Sequence, residues 1–174
     1  AVRADLESLV IKKDGLTDAD LKDLADFRSL KTLDLPTSKI TGRTLARLAK
    51  LPRLEHLSMD SAPIRGADLK HIAKHRRLLK LALGDCPMDD DSLEHVASLP
   101  ALQSLSLYAS QRITDRGVAA LKDHPSLEEV GLAGKKITAK SLPVLRSLPR
   151  LKSVGLRRTS IPEADQKKLN TELM

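Results

Sequence analysis

Residues 30–53 read LKTLDLPTSKITGRTLARLAKLPR, and this stretch contains two different apolar periodicities. Its first part alternates apolar and polar side chains at Leu33, Asp34 and Leu35, which is the period of a β-strand. Its second part spaces apolar side chains as an amphipathic helix does, at Ile40, Leu45, Leu48 and Leu51. The stretch therefore predicts one β-strand followed by one helix.

The same pattern recurs along the whole chain at a nearly constant interval. The motif LxxLxL, or a close variant, begins at Leu6, Leu30, Leu54, Leu78, Leu102, Leu127 and Leu151. Successive starts lie 24 residues apart, except for one interval of 25. A fixed period of this kind indicates stacked supersecondary units, each of which buries its apolar face against its neighbours. We therefore predict a single α/β domain over residues 1–174 that contains seven units, the last one truncated.

Capping and stop residues support the predicted helix boundaries. Four units place a threonine just before the helix, where its hydroxyl can accept a bond from a free backbone N–H group; these are Thr17, Thr41, Thr114 and Thr138. Four units place a proline after the helix, where it stops the helix before the next strand; these are Pro52, Pro100, Pro125 and Pro149. Pro143 falls within the sixth helix, so we expect that helix to start late, with Ser141 as its cap.

The repeated unit resembles the leucine-rich repeat family, and the resemblance covers the chain from Leu6 to about Leu169. The form that begins at Ile113-Thr114-Asp115 is similar to the helix-bearing repeats of bacterial proteins and of ubiquitin-ligase substrate receptors. The resemblance implies a right-handed solenoid with a parallel β-sheet on its concave side and helices on its convex side. It also implies a protein partner bound to the concave sheet.

The two ends of the chain depart from the family pattern, because neither has a cysteine-rich cap. The last unit carries Gln166, Lys167 and Lys168 on its helix, which is typical of a polar terminal cap. Only five residues precede the first unit, so we expect an upstream segment in the parent protein. No apolar run approaches the ~18 residues of a membrane span. The sequence does not indicate a compartment.

The net charge of +7 is concentrated in one part of the chain. Residues 43–80 contain ten Lys or Arg and three Asp or Glu, whereas the predicted concave surface is balanced. Seven of these bases form what we call the basic ridge, on two predicted neighbouring convex helices or the turns after them: Arg43, Arg47, Lys50, Lys70, Lys74, Arg76 and Arg77. The ridge is explained by bases that complement helix C-termini, or by docking of an anion or nucleic acid. Nucleic acid is the less favoured ligand, because the window contains no aromatic side chain on which a base could stack.

The sequence contains no pattern that predicts an enzyme, a cofactor site or a metal site. His71 and His75 stand four residues apart, and His95 occupies the column of His71 one unit later, but His75 falls in an apolar column that ends each helix. Asp89, Asp90 and Asp91 lack the alternating ligands of a calcium loop, and Asp89 is expected to cap a helix. Cys86 occupies a turn column of the repeat, so we expect a buried structural thiol rather than a nucleophile. We therefore predict a non-enzymatic protein.

Tyr108 is the only tyrosine, and Phe27 is the only other aromatic residue. Its position in the unit predicts a side chain that rises from the concave sheet over small neighbours, and the one extra residue of the chain falls just beyond it, in Ser110–Arg112. A lone tyrosine on such a floor is typical of a binding anchor. We therefore predict a partner-binding surface with six members: Tyr108, Ser104, Ser106, Lys80, Asp85 and Glu129.

Two alternatives to this anchor remain. The tyrosine and the inserted residue can be a tolerated surface feature, or the chain can be a purely structural segment of a larger protein. If Tyr108 is an anchor that points away from the core, its truncation should weaken binding and leave folding nearly unchanged.

Overall fold

The computed structural model describes residues 5–73 and 75–173. Within them the chain forms seven short strands: β1 Ser8–Val10, β2 Thr32–Asp34, β3 His56–Ser58, β4 Lys80–Ala82, β5 Ser104–Leu107, β6 Glu129–Ala133 and β7 Ser153–Arg157. All neighbouring strands are parallel, and the order in the sheet is the order in the chain. The predicted α/β class and the predicted parallel sheet are confirmed.

The strand register follows the sequence period. Ser8 pairs with Thr32, which pairs with His56, and each step is one repeat of 24 residues. The inserted residue is absorbed between β5 and β6, where Ser104 pairs with Glu129 and the sheet continues without interruption. Each unit therefore adds one strand in register with the strand before it.

Helical segments follow the strands and pack side by side in chain order. The α-helices are α1 Gly42–Leu48, α2 Asp90–Ala97, α3 Asp115–Ala119, α4 Leu142–Ser147 and α5 Glu163–Glu172. Three further segments are 3₁₀ helices, at Leu24–Asp26, Gly66–His71 and Ala139–Ser141. The seventh unit contains β7 and α5, so a strand and a helical segment occur in each of the seven units.

The prediction of an α-helix was wrong in the first and third units, which contain only the 3₁₀ segments Leu24–Asp26 and Gly66–His71. Both units lack the threonine cap that starts α1 and α3. The Thr17 hydroxyl donates to the Asp20 carboxylate at 2.8 Å. In the third unit Arg65 takes the cap position and has no side-chain oxygen to offer. Short helices depend on their ends, so these segments tighten into 3₁₀ turns.

The α-helix of the sixth unit starts late, at Leu142, with Ser141 in its N-cap position, as the sequence predicted. A 3₁₀ segment, Ala139–Ser141, precedes it, and Thr138 caps that segment by accepting a bond from the backbone N–H of Lys140 at 3.3 Å. Pro143 lies in the first turn of α4, where its missing N–H costs nothing. Ser141 makes no cap bond, and its hydroxyl donates instead to the carboxylate of Asp115 in the preceding unit.

Three carboxylates on the helix side bind the next unit, one from the turn before Leu24–Asp26 and two from the first residues of α2 and α3; the pairs are Asp18–Thr41, Asp90–Thr114 and Asp115–Thr138. In the third pair the backbone N–H of Thr138 donates to Asp115 at 2.8 Å and its hydroxyl donates at 2.6 Å. Burial raises the pKa of Asp115, but the bonds from Ser141 and Thr138 outweigh it and hold the pKa below its ordinary value. These contacts fix the spacing between units on the helix side.

The core lies between the helical segments and one face of the sheet. Its members include Leu33, Leu57, Leu81 and Leu105 from the centres of successive strands, all of which are buried. Within residues 5–73 and 75–173, every helix is too short or too polar to cross a lipid bilayer.

Candidate interaction surfaces

The other face of the sheet carries two residues from each strand, and we call it the open face. Its members from β2 to β7 are Thr32, Asp34, His56, Ser58, Lys80, Ala82, Ser104, Ser106, Glu129, Gly131, Ser153 and Gly155. Alternation along each strand separates these residues from the buried leucines. All of them except Gly131 are exposed or half-buried, so no described helix covers this face.

The ring of Tyr108 lies flat across the open face, and it does not rise from it as the sequence predicted. Tyr108 follows β5, and its ring extends over β6 and β7. A Cβ atom added at Gly131 would lie 2.7 Å from the Cζ atom of Tyr108, and one added at Gly155 would lie 2.2 Å from its hydroxyl oxygen. Two glycines, one repeat apart, therefore form the slot that holds the ring.

Arg157 also contacts this ring. Its guanidinium carbon lies 4.5 Å from the ring centroid, which is the geometry of a cation–π contact. Arg157 is at the end of β7, and Ala133 beside it on β6 is small and buried. Sequence reasoning placed Tyr108 on the correct face but missed Gly155 and Arg157 as its partners. The signal was present, because Gly131 and Gly155 share one column of the repeat.

Two shallow depressions run across the strands of the open face. The first has a volume of about 290 Å³ and lies over β2 to β5, and the second has a volume of about 180 Å³ and lies over β5 to β7 beside Tyr108. They meet at Ser104 and Ser106, which line both. We call the two together the cross-strand groove.

The predicted partner-binding residues fall into two groups. Lys80, Ser104 and Glu129 occupy paired positions on β4, β5 and β6, and the Ser104 hydroxyl donates to Glu129 at 3.0 Å. Asp85 lies beyond the end of β4, where its backbone N–H donates to the carbonyl of Tyr108 at 2.7 Å. Ser106 faces the groove between these groups. Lys80, Ser104, Ser106, Tyr108 and Glu129 therefore lie on the open face, and Asp85 lies in the turn at its edge.

Sequence reasoning did not identify Asp34 as a site residue. It lies on β2 at one end of the cross-strand groove. Its Oδ1 atom is buried and has no hydrogen-bond partner among the described residues. A buried carboxylate oxygen without a donor is costly, since it has lost water and gained nothing in exchange. His56, on the neighbouring strand, lines the same end of the groove.

The basic ridge lies on the helix side of the molecule, and the structure describes six of its seven residues. Arg43 and Arg47 are in α1, Lys70 is in the 3₁₀ segment Gly66–His71, and Lys74 lies outside the described residues. Arg47 is half-buried, and its guanidinium donates to the backbone carbonyl of Asp18. The others, Arg43, Lys50, Lys70, Arg76 and Arg77, are exposed, and none of them forms an ion pair with another described residue.

Of the three histidines that were considered as metal ligands, His75 contacts the preceding unit, as His124 also does. The Nε2 atom of His75 lies 2.9 Å from the carbonyl oxygen of Leu51 in the preceding unit, and His124 makes the same contact with Leu99 at 3.1 Å. Each ring therefore donates a hydrogen bond from its Nε2–H group to the previous unit. Among residues 5–73 and 75–173, no three or more His, Cys, Asp and Glu side chains are grouped to hold a metal ion.

Cys86 is buried, as the sequence predicted, and its thiol donates to the carbonyl of Met59 at 3.2 Å. Burial raises the pKa of this thiol to about 11, and the nearby carboxylates of Asp60 and Asp85 act in the same direction. A thiol in this state is a poor nucleophile at neutral pH.

No family model matches the chain, and no curated protein matches it. In contrast, 86 chains of solved structures match it. One is a chain of the crystal structure of the Rad7 and Elc1 complex in yeast, with a TM-score of 0.68 and 19% sequence identity. The match covers 85% of the present chain and 41% of that chain, so it spans less than half of the length of its neighbour. At this identity the likeness shows the fold alone, and it supports a leucine-rich-repeat-like architecture.

Proposed function

We propose that the chain is a non-enzymatic protein-interaction module of the leucine-rich-repeat type. In this proposal it is a right-handed solenoid, its concave side is the open face, and a partner protein binds there around Tyr108. The observation that carries the proposal is the ring of Tyr108, held over Gly131 and Gly155 beside an uncovered groove.

A fixed aromatic ring favours binding for a physical reason. When two proteins bind, each flexible side chain that becomes ordered at the interface makes binding less favourable by ~0.5–1.5 kcal/mol. Tyr108 is already ordered by two glycines and by Arg157, so its ring area is available at a lower entropic cost. The small side chains around it leave the ring accessible from the groove.

The fold likeness supports the same class of function. The neighbouring structure is described as a complex of two proteins, Rad7 and Elc1. We infer by analogy that the present chain is also a component of a protein assembly. The partner must be inferred from the surface of this chain and not from the neighbouring structure.

Affinity capture with matched variants tests the proposal. The baits are the wild-type chain, Tyr108→Ala, Tyr108→Phe, and a ridge variant in which Arg43, Arg76 and Arg77 are changed to Glu. We expect Tyr108→Ala to weaken capture of a specific partner by at least ~2 kcal/mol, as interface hot spots do. Tyr108→Phe and the ridge variant should retain it. Arg47 is left unchanged because its guanidinium holds the Asp18 carbonyl.

The second candidate function is docking of an anionic ligand on the basic ridge. It is favoured by one observation, which is that five of the described ridge residues are exposed and form no ion pair with other described residues. Binding through these charges should weaken steeply as salt is raised and should be lost in the ridge variant. Loss of the partner by the ridge variant with retention by Tyr108→Ala would replace the first candidate by the second.

A further inference from the structure

The cross-strand groove has an alternating charge pattern that restricts what can lie in it. Asp34 on β2, Lys80 on β4 and Glu129 on β6 are the charged residues among the open-face residues defined above, and Arg157 at the end of β7 lies over the Tyr108 ring. In strand order from β2 to β6, these three side chains are acidic, basic and acidic. Asp34 has a buried oxygen without a partner, and Lys80 forms no ion pair with other described residues. Two of the three charges are thus unsatisfied within the described chain.

The spacing of these charges across the sheet is regular. They lie on alternate strands, about 10 Å apart across the sheet at about 4.8 Å per strand. Lys80 and Glu129 share one row of the register, and Asp34 lies two residues further along its strand. A polyproline II helix has three residues per turn and rises about 3.1 Å per residue, so side chains at every third position share one face at intervals of about 9 Å. The two periods match within the reach of a lysine or glutamate side chain.

The direction of the groove also favours this conformation. A segment that crosses the strands cannot pair with a strand edge, so its backbone must find other hydrogen-bond partners. Hydroxyls line the groove at Ser58, Ser106 and Ser153, where they can donate to the carbonyls of a bound segment. A polyproline II segment has no internal hydrogen bonds and leaves its carbonyls free for such donors. Tyr108 forms an aromatic floor at one end of the groove, and aromatic side chains are what the grooves that bind proline-rich segments present.

We propose that the cross-strand groove binds an extended polyproline II segment of a partner protein with the charge order basic-x-x-acidic-x-x-basic. Its two basic side chains pair with Asp34 and Glu129, and its acidic side chain pairs with Lys80. This inference rests on the proposed function, since it names the chemistry of the partner segment at the same surface.

Three fluorescently labelled synthetic peptides test it against the full chain by fluorescence polarisation. The matched peptide contains KPPEPPK within flanking prolines, the reversed peptide contains EPPKPPE, and the third has the matched charges at the shorter spacing KPEPK. The chain carries a net charge of +7, so unspecific attraction favours the reversed peptide. We expect the matched peptide to bind about 10-fold more tightly than either control at low salt.

Variants of the chain complete the test. Asp34→Asn removes the charge without breaking a bond, because its Oδ1 atom has no partner among the described residues. Both Asp34→Asn and Lys80→Glu should weaken the matched peptide several-fold, whereas Asp91→Asn on the helix side should not. Equal or tighter binding of the reversed peptide, or no binding of the matched peptide at about 1 mM, would overturn the inference. The capture experiment is independent of it: a partner lost with Tyr108→Ala but indifferent to these peptides would leave the proposed function standing.

Discussion

The ring of Tyr108 can occupy its position because residues 131 and 155 are glycines, which have no side chain. With no Cβ atom at Gly131 or Gly155, the ring packs onto the backbone of β6 and β7, and the guanidinium carbon of Arg157 lies 4.5 Å from its centroid. It is therefore a half-buried part of the structure as well as an accessible surface. The sequence predicted only the second of these roles.

This packing changes the expected effect of truncation on stability. Tyr108→Ala should lower the free energy of unfolding by about 1–2 kcal/mol, because it removes the packed ring and exposes the backbone of β6 and β7 beneath it. Tyr108→Phe should stay within about 0.5 kcal/mol of wild type, since no described residue accepts a hydrogen bond from the phenol. Denaturant unfolding of the three chains measures the difference. A fully stable Tyr108→Ala chain would show that the ring does not pack.

The thiol of Cys86 should react slowly. With a pKa raised to about 11 by burial, almost no thiolate is present at neutral pH, and access is closed as well. A thiol reagent at about pH 8 should label the folded protein far more slowly than the chain in denaturant. Equal rates in the two states would refute the assignment of a buried structural thiol.

His124 should make stability depend on pH just below neutrality. Burial lowers the pKa of its ring below the ordinary value of 6.5, and the bond to Leu99 only partly opposes this. The unfolded chain therefore binds the proton more readily, so stability is full above that value and falls as the pH drops toward the folded pKa. Unfolding at pH values between about 7.5 and 5.5 should show this loss.

His124→Leu is the matched variant, because leucine occupies the same column at Leu51, Leu99 and Leu148. It should flatten the pH dependence over this range even if its stability at neutral pH differs. An unchanged slope would assign the pH dependence to another group.

At the level of the elements, the carboxylates that join units should contribute to stability more than surface charges do. Asp115 accepts bonds from the backbone and hydroxyl of Thr138 and from the hydroxyl of Ser141. Asp115→Ala leaves these donors without their partner and should cost about 2 kcal/mol. Glu163→Ala on α5 removes an exposed ion pair with Lys167 and should cost less than about 0.5 kcal/mol. Chemical denaturation compares them, and similar losses would contradict the inter-unit role.

Acid should remove the same contribution. The pKa of Asp115 is held below its ordinary value of 3.8, so the stabilisation is complete above that value and is lost as the pH falls through the lower, folded pKa. The acid transition therefore lies in a different pH range from the effect of His124.

The helical segments show where sequence reasoning was limited at this scale. The period located every segment, but it did not distinguish α from 3₁₀ geometry, because that choice depends on the cap. Thr41 and Thr114 cap their helices, whereas the hydroxyl of Thr17 is engaged by Asp20, and Arg65 has no oxygen to offer. A threonine in the cap column was therefore not a sufficient signal, and α2, which Asp89 caps, shows that it was not a necessary one.

For the molecule as a whole, the repeat determined much that could be predicted. A constant interval fixes which residues pair across strands, so the parallel order and the buried leucine rows followed from the sequence. The contacts of the candidate site could be predicted from the sequence less completely. The contact of Tyr108 with Gly155 joins different columns of the repeat and depends on side-chain direction, which the interval does not encode. The same holds for the burial of Asp34 Oδ1 without a hydrogen-bond partner among the described residues.

The central claim is that a partner protein contacts the open face at Tyr108, and one measurement addresses it directly. Tyr108 is the only tyrosine, so a chain grown with ¹³C-labelled tyrosine gives the ring signals of this residue alone, even in a complex with an unlabelled partner. On titration with the captured partner, the account predicts that these signals shift or broaden as the complex forms, and that they do so with the ridge variant as well. A complex that forms while the Tyr108 signals stay unchanged would contradict it.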